Sequence, residues 1–480
     1  MNEAAVQQCQ PLHRQLGAIG VLFLTISALS PTSSVFVAGA SVVHSAGTGA
    51  ALGFLAGGVI AAILALLYAE LAASFPHAGG PYGSVSGALG SRAGFIVQAL
   101  FLVTGPAGVA FTALGFADYI HFLVPGFHQL SIALTAVGLA TIISILNLRT
   151  NAWITGAFLA IELVAILIFS MVSLTHPVRS LSEVLLHPVA PGPRGIGPTP
   201  LASAALAVVG GSWACAGASW AMFFGEELHD APRRIGRVMA VAGALASILI
   251  GIPVVLFATS AGNLQTILSD ESPFAAFLAI TAGGRLATFV SFGVAIAIFN
   301  ALIVSTIAMG RFYYANGRDG IFPARVNSVL TRVHGRFLSP WIATLILGAL
   351  GSIFCLLGER MNLLLLSGEV FSGALVALSV LVGRRLGRTG QMGYRTPWFP
   401  LVPVFGLVVA AGLATATFAD RQDGRPSMMI LLGVIAIASV YYQMVLRPRG
   451  WRVHLPGEKG SPGTFVTPEP SGCEAAVPQK

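Results

Sequence analysis

Apolar runs at or beyond the ~20 residues that a helix needs to cross a hydrocarbon core recur from residue 17 to residue 446, with short polar interruptions between them. Read with a window of ~19 residues, they resolve into about twelve predicted spans, near 17–43, 49–74, 92–124, 130–147, 152–175, 200–226, 236–260, 284–315, 339–358, 361–382, 400–420 and 427–446. Several are longer than one crossing, which predicts tilt or extra helical turns outside the membrane. The first run, from about Leu16 to Val43, is too long for a signal-peptide core and lacks a small-residue cleavage site in the expected place, so it reads as the first span. Two segments interrupt the pattern. Residues 176–199 are rich in proline and glycine and predict a loop, and residues 447–480 hold turn-formers without sustained periodicity and predict a disordered tail.

Composition agrees about the solvent. Of 480 residues, 55% are hydrophobic and 9% charged, against roughly 25% charged in an ordinary soluble domain, too few to cover a surface facing water. The formal net charge of +8 does not point to nucleic acid, because the basic residues lie in loops between spans, where membrane topology accounts for them. With both termini placed in the cytoplasm, only Arg179, Arg194, Arg285, Arg360, Arg421 and Arg425 of the 26 lysines and arginines fall outside. Moving the count by one span destroys this asymmetry, so a multi-pass protein of the cytoplasmic membrane with an even number of spans is expected. Segment 1–15 is then a cytoplasmic tail and 176–199 an extracellular loop. The four cysteines, Cys9, Cys215, Cys355 and Cys473, are scattered and suggest neither a disulfide framework nor a metal site.

Two spans carry helix-breaking residues at matching places. The first contains Ser30-Pro31-Thr32-Ser33-Ser34, where proline removes a backbone donor and hydroxyls can re-satisfy the freed groups. The sixth contains the run Gly210-Gly211-Ser212-Trp213-Ala214-Cys215-Ala216-Gly217-Ala218-Ser219, whose glycines permit unwinding. The breaks lie five spans apart; because five is odd, a second repeat must be inverted relative to the first. The chain then divides into 16–175 (spans one to five), 200–382 (spans six to ten) and 383–446 (the last two). Paired discontinuous helices at the midplane mark a transporter's binding site, with half-helix N-termini suited to a carboxylate and unwound carbonyls to an ammonium. A kink or a close-packing site is the competing reading of each break alone.

Four further segments carry a resemblance to a known family. They are Tyr68-Ala69-Glu70-Leu71 with Phe75-Pro76-His77-Ala78-Gly79-Gly80-Pro81-Tyr82; Phe224-Gly225-Glu226-Glu227-Leu228-His229-Asp230-Ala231-Pro232-Arg233; Gly310-Arg311-Phe312-Tyr313-Tyr314 with Gly317-Arg318-Asp319-Gly320; and Tyr394-Arg395-Thr396-Pro397. In this order and between these spans, the chain resembles the amino acid–polyamine–organocation (APC) permeases over roughly residues 14–446. The resemblance implies an all-α, five-plus-five inverted-repeat bundle of the LeuT type with two extra helices, cycling by alternating access. It also implies substrate contacts at the breaks: Pro31, Thr32, Ser33, Ser34 and Val35 in one, and Trp213, Ala214, Cys215, Gly217 and Ser219 in the other. Gly217 matches the family's central glycine, and Trp213 falls where some members place an aromatic gate, with bundle packing the alternative for the indole. The chain departs from the pattern at Thr32-Ser33-Ser34, where many relatives have glycines, and at Ser219, where many have an acidic residue.

Intramembrane ionisable residues cost ~2.5–3.5 kcal/mol each on insertion scales, so each calls for a reason. Glu162, mid-way along the fifth span, is the first candidate for proton coupling and Glu369, in the tenth, the second; hydrogen-bonded packing residues are the alternative. Glu70, Glu226, Glu227, Asp230 and Arg233 are inner-gate candidates, the acidic residues after the sixth span facing the arginines of their own loop, or else forming a static surface cluster. Ser305 and Thr306 are candidate oxygens for a sodium ion, although hydroxyls in membrane helices often bond their own backbone.

An enzyme would need a nucleophile or metal set in the bilayer, and neither a His-Glu-x-x-His pair nor a Gly-x-Ser-Gly turn occurs. No catalytic residue, metal or cofactor is therefore expected. A channel or membrane-embedded nutrient receptor remains a different class for the same architecture. A polyamine should attract carboxylates to the centre, and few are present, so a neutral amino acid is the favoured substrate, with a polyamine or organic-cation permease and an amino acid exchanger as alternatives. A proton is favoured over sodium as coupling ion. The expected partners are the small-molecule substrate and membrane lipid, with no nucleic acid and no obligate protein.

Overall fold

The computed structural model describes residues 12, 14–124, 126–192, 195–270, 272–358, 362–365, 367–391 and 393–455. The first apolar run folds as two halves. Helix α1 (Ala18–Leu29) stops at Ser30, whose φ of 46° is left-handed, and α2 (31–46) restarts at Pro31, where a missing N–H costs nothing. A wider π-helical turn, Ser34–Ala38, follows inside α2. The chain reverses at Gly47, whose φ of 56° and close approach to the backbone of Val189 and Ala190 leave no room for a side chain. It then enters α3 (Ala50–Ser74).

A short helix, α4 (Pro81–Leu89), lies before α5 (Ser91–Leu123), α6 (Gln129–Ser144) and α7 (Leu148–Thr175). Segment 176–199 is not a plain loop. It holds α8 (Leu181–Leu186) and an antiparallel hairpin of β1 (Val189–Gly192) and β2 (Gly195–Pro198), with Val189 opposite Pro198. Helix α9 (Leu201–Cys215) ends at the second break, after which Ala216 and Gly217 leave helical geometry and a 3₁₀ segment, Ala218–Phe224, begins. The remainder is α10 (Ala231–Ser260), α11 (Leu264–Leu268), α12 (Pro273–Ala282), α13 (Gly284–Arg318), α14 (Ala324–Leu330), α15 (Trp341–Cys355), α16 (Asn362–Leu365), α17 (Gly368–Arg385), α18 (Leu401–Ala419) and α19 (Gly424–Tyr441).

Among the described residues eight helical stretches are long and apolar enough to cross a membrane, while the apolar α6, α12 and α15 are shorter. The residues that set α13 apart are buried without interruption from Asn300 to Gly317, so this helix runs through the middle of the bundle rather than along its rim. Outward-facing apolar side chains such as Ile142, Trp153, Leu167, Phe289, Val408 and Ile437 are exposed, as the rim of a bundle in lipid requires.

Close backbone approach replaces hydrophobic drive where helices meet inside lipid. Gly53 and Gly57 of α3 face Ala207 and Gly211 of α9 so closely that a Cβ at Gly53 would lie 2.6 Å from the Ala207 carbonyl carbon, and one at Gly57 would overlap the Gly211 backbone. The expected tail is corrected in part: residues 447–455 are placed against the bundle, while 456–480 lie outside the described residues. Periodicity gave no sign of this because the contact is made by single side chains on a turn.

Gly57→Ala should lower the detergent melting temperature through an overpacking cost of about 1–3 kcal/mol, whereas Gly138→Ala, at a glycine with open space around it, should stay within about 1 kcal/mol of the parent. Thermal unfolding followed by intrinsic fluorescence checks both.

Candidate functional site

The two breaks meet. The end of α1 packs on the second break so closely that a Cβ on Gly217 would lie 2.8 Å from the Leu29 Cβ, which leaves only glycine at that point. Beside them is a cavity of about 200 Å³, well over ten times the ~10–15 Å³ that admits one water. Its walls are Ser33 and Ser34 of α2, Trp213 and Ala214 of α9, and Ser219, Trp220 and Phe223 of the 3₁₀ segment. Helix α5 adds Phe101, Thr104, Gly105, Phe111 and Thr112, α13 adds Ser305 and Met309, and α17 adds Ser372. Phe111 meets Trp213 edge to face, with centroids 5.5 Å apart. None of the described lining residues carries a charge.

A carboxylate stands behind the first break instead. Glu162 of α7 is fully buried, and its Oε1 accepts from the Ser30 hydroxyl at 2.8 Å and from the Thr32 N–H at 2.9 Å. The Thr32 hydroxyl donates to the Glu162 carbonyl at 3.2 Å, and Ser30 Oγ also lies 3.4 Å from the Ala297 carbonyl of α13. Glu162 Oε2 has no hydrogen-bond partner among the described residues. A carboxylate supplied by a neighbouring helix thus caps the N-terminus of α2, where orphan donors and the helix dipole favour negative charge.

The end of the bundle at which α1 begins is rich in arginine and is called the basic end below. Glu227 is fully buried and takes a two-pronged ion pair from Arg311 of α13. Glu226 accepts from Arg318 at 2.7 Å and from the Ala78 N–H at 2.9 Å. The Asp319 side chain accepts from the Tyr82 hydroxyl at 2.8 Å, with His77, Arg318 and His454 each 3.5 Å away. Glu70 pairs with Arg384 and accepts from the Thr396 N–H and the Thr389 hydroxyl, tying α3 to the chain after α17. The backbone joins in, since Gln15 and Leu16 donate to the Glu227 carbonyl and His229 donates to that of Leu16. Burial alone would raise the Glu226 carboxyl, but Arg318 and His77 outweigh it and hold it below the usual carboxylate range. Burial pushes the His77 imidazole down against the opposing pull of Asp319. Asp319 is likewise held low, burial being overcome by His77, His454, Arg318 and Tyr82.

A family model for amino acid permeases matches residues 16–440. The chain belongs to the amino acid permease family. Members of this family are transporters and not enzymes. An uncharacterized transporter of Mycobacterium tuberculosis is 24% identical over 417 residues, covering 83% of this chain and 86% of the relative. The human cystine/glutamate transporter is 26% identical over 417 residues, or 82% of this chain and 78% of the relative. The mouse large neutral amino acids transporter small subunit 2 is 28% identical over 351 residues, or 69% and 63%.

In this permease, Ser33, Ser34, Trp213, Ala214 and Ser219, of the residues expected at the breaks, line the cavity, and Ser305 joins them. Pro31, Thr32, Val35, Cys215 and Gly217 do not line it. Pro31, Thr32 and Val35 turn into the packed side of α2, Cys215 is buried behind α9, and Gly217 is spent on contact with Leu29. The α2 N-terminus is also not open to a ligand, because Thr32 N–H goes to Glu162, Ser33 N–H to Ser30 Oγ and Ser34 N–H to the Ser30 carbonyl. The loop ion pairs are redrawn: Glu226 and Glu227 take arginines from α13 rather than from their own loop, and Asp230 and Arg233 are exposed outside the cluster. Ser305 and Thr306 both donate to the Leu302 carbonyl. Glu369 begins α17, and its side chain lies outside the described residues. Sequence reading missed the α5 wall, although Thr104-Gly105-Pro106-Ala107-Gly108 is a run of small and polar residues in the third span. It also missed His77, Tyr82, Arg318 and Asp319 as one cluster.

Because Glu226 is held below its unfolded value, its contribution is present above the unfolded pKa of ~4.3 and is lost as pH falls through the lower folded value. The melting temperature of Glu226→Gln should therefore sit below that of the parent from pH 8 to 5, and the gap should close below about pH 4. Paired melting curves across that range check it.

Proposed function

We propose that this permease carries neutral amino acids across the cytoplasmic membrane by alternating access, driven by protons. The observation that carries this reading is the cavity between the two breaks, walled by hydroxyls and aromatic rings with no charge among its described lining. A strongly cationic substrate would be left unpaired in such a site, whereas a zwitterion is internally balanced and can be met by hydroxyls and backbone groups. A large neutral amino acid transporter among the relatives supports the same class.

The architecture proposed is twelve spans in a five-plus-five inverted repeat with two added helices, both termini cytoplasmic. The basic end is then the cytoplasmic face, in keeping with the distribution of arginine. The pairs Glu226–Arg318, Glu227–Arg311 and Glu70–Arg384 form the inner closure. Glu162 is the coupling residue, since a buried carboxylate with one oxygen unpartnered among the described residues is the group best placed to take a proton and lose it again.

The test is uptake into proteoliposomes of a labelled panel of amino acids and polyamines, with and without an inward proton gradient. Accumulation of a neutral amino acid under the gradient is expected. Glu162→Gln should abolish gradient-driven accumulation while retaining counterflow. Binding of diamines without amino acids would overturn the substrate reading, and full gradient-driven uptake by Glu162→Gln would overturn the coupling reading.

A further inference from the structure

The segment after α19 is folded back on the basic end by a specific set of contacts. Arg447, Gly450 and Trp451 form successive turns, with Gly450 at a φ of 65°. The Trp451 indole N–H donates to the Asp319 carbonyl at 2.6 Å, and its ring stands edge-on to Phe95 of α5 at 5.7 Å. Val453 is 4% exposed and joins the main apolar core. The half-exposed His454 ring lies 3.5 Å from the buried Asp319 carboxylate. The backbone carbonyl of Asp319 is therefore held by a hydrogen bond, and its carboxylate approached by an imidazole, from a segment four residues long.

Asp319 is joined to the cavity by a continuous stack of rings. Its carboxylate holds the Tyr82 hydroxyl; Tyr82 meets Phe312 at 5.8 Å; and Phe312 meets both Phe101 at 6.0 Å and Phe223 at 6.4 Å. Phe101 and Phe223 are themselves cavity walls, 6.0 Å from each other. Opening the cavity toward the basic end would part these rings, and moving Tyr82 away from a fixed Asp319 would cost its hydroxyl hydrogen bond. The elements that converge there are α4, α5, the 3₁₀ segment and α13, none of which includes the segment that holds Asp319 from outside.

We propose that residues 447–455 are a strap that keeps the cavity shut at the basic end, with Trp451 and His454 fixing Asp319 and through it Tyr82 and the aromatic floor. The strap lifts from Asp319 when the cavity opens on that side. This rests on the alternating-access reading, but its test needs no substrate.

Ser219→Cys, on the cavity wall, serves as reporter in a chain whose four native cysteines are replaced by alanine. A membrane-impermeant maleimide is applied to sealed vesicles from the basic face or from the opposite face. Trp451→Phe keeps the ring and loses the indole N–H; from one lost hydrogen bond, labelling from the basic face should rise about three- to tenfold, with no rise from the opposite face. His454→Gln should move in the same direction by less, and Trp451→Ala by more. Trp451→Phe and His454→Gln carry the test if the alanine variant does not fold. Labelling unchanged in folded Trp451→Phe and His454→Gln, or raised equally from both faces, would overturn the strap and leave the amino acid reading standing. Failed amino acid uptake with the labelling shift intact would do the reverse.

Discussion

A helix broken inside lipid leaves backbone donors and acceptors with no water to receive them, and each must find a partner in the protein. The first break meets this demand with side chains from two directions. Ser30 supplies its own hydroxyl to Ser33 N–H, and Glu162 reaches across from α7 to Thr32 N–H and to Ser30. The junction of α1 and α2 is thereby pinned to α7, and through the Ala297 carbonyl it abuts α13. The second break is satisfied more locally, by Ala216 N–H on Trp213 and Trp220 N–H on Gly217. Its position is set by packing, the bare Cα of Gly217 against Leu29. Of the two breaks, the first is therefore tied to other helices by hydrogen bonds and the second by packing.

At the basic end the controlling cost is different. Taking arginine and carboxylate out of water is expensive, and a buried pair returns little net stability. What such a pair does fix is position, because separating it inside the protein leaves two uncompensated charges. Glu227 with Arg311 and Glu226 with Arg318 apply this to the same two elements, the turn after the 3₁₀ segment and the end of α13. The second break and these ion pairs are thus consecutive on one short stretch of chain.

Much of this was legible in the sequence, and the boundary follows from range. Helices and breaks are local events. The long apolar runs, Pro31 beside three hydroxyl residues, and glycines at 210, 211 and 217 declare them directly. Partners across the bundle are not local. Glu226 has arginines at 233, 234 and 237 close by in sequence, yet α13 delivers Arg318 to it instead, because the turn after Phe224 faces inward while α10 carries its first-turn arginines to the surface. The α5 wall was illegible for a related reason: a helix that is apolar all round does not announce which face looks into a cavity. The hairpin at 189–198 and the folded-back segment at 447–455 rest on contacts between residues far apart in sequence, such as Thr48 with Val189 and Trp451 with Asp319, that no periodicity encodes.

The cap on α2 also constrains how a substrate can be held. The α2 donors at Thr32, Ser33 and Ser34 are already committed, so its N-terminus is occupied by the protein's own carboxylate. At the breaks, that leaves Ser33 and Ser219, whose hydroxyls face the cavity and have no partner among the described residues. A protonated Glu162 would still accept at Oε1 but would no longer complement the dipole of α2 with a full charge. Under the coupling proposed for Glu162, protonation and the geometry of the first break would be linked through one oxygen, while Ser33, the residue after Thr32, lines the cavity. In the proposed coupling, the shortest covalent path from the capped Thr32 to a cavity hydroxyl is the single peptide between Thr32 and Ser33.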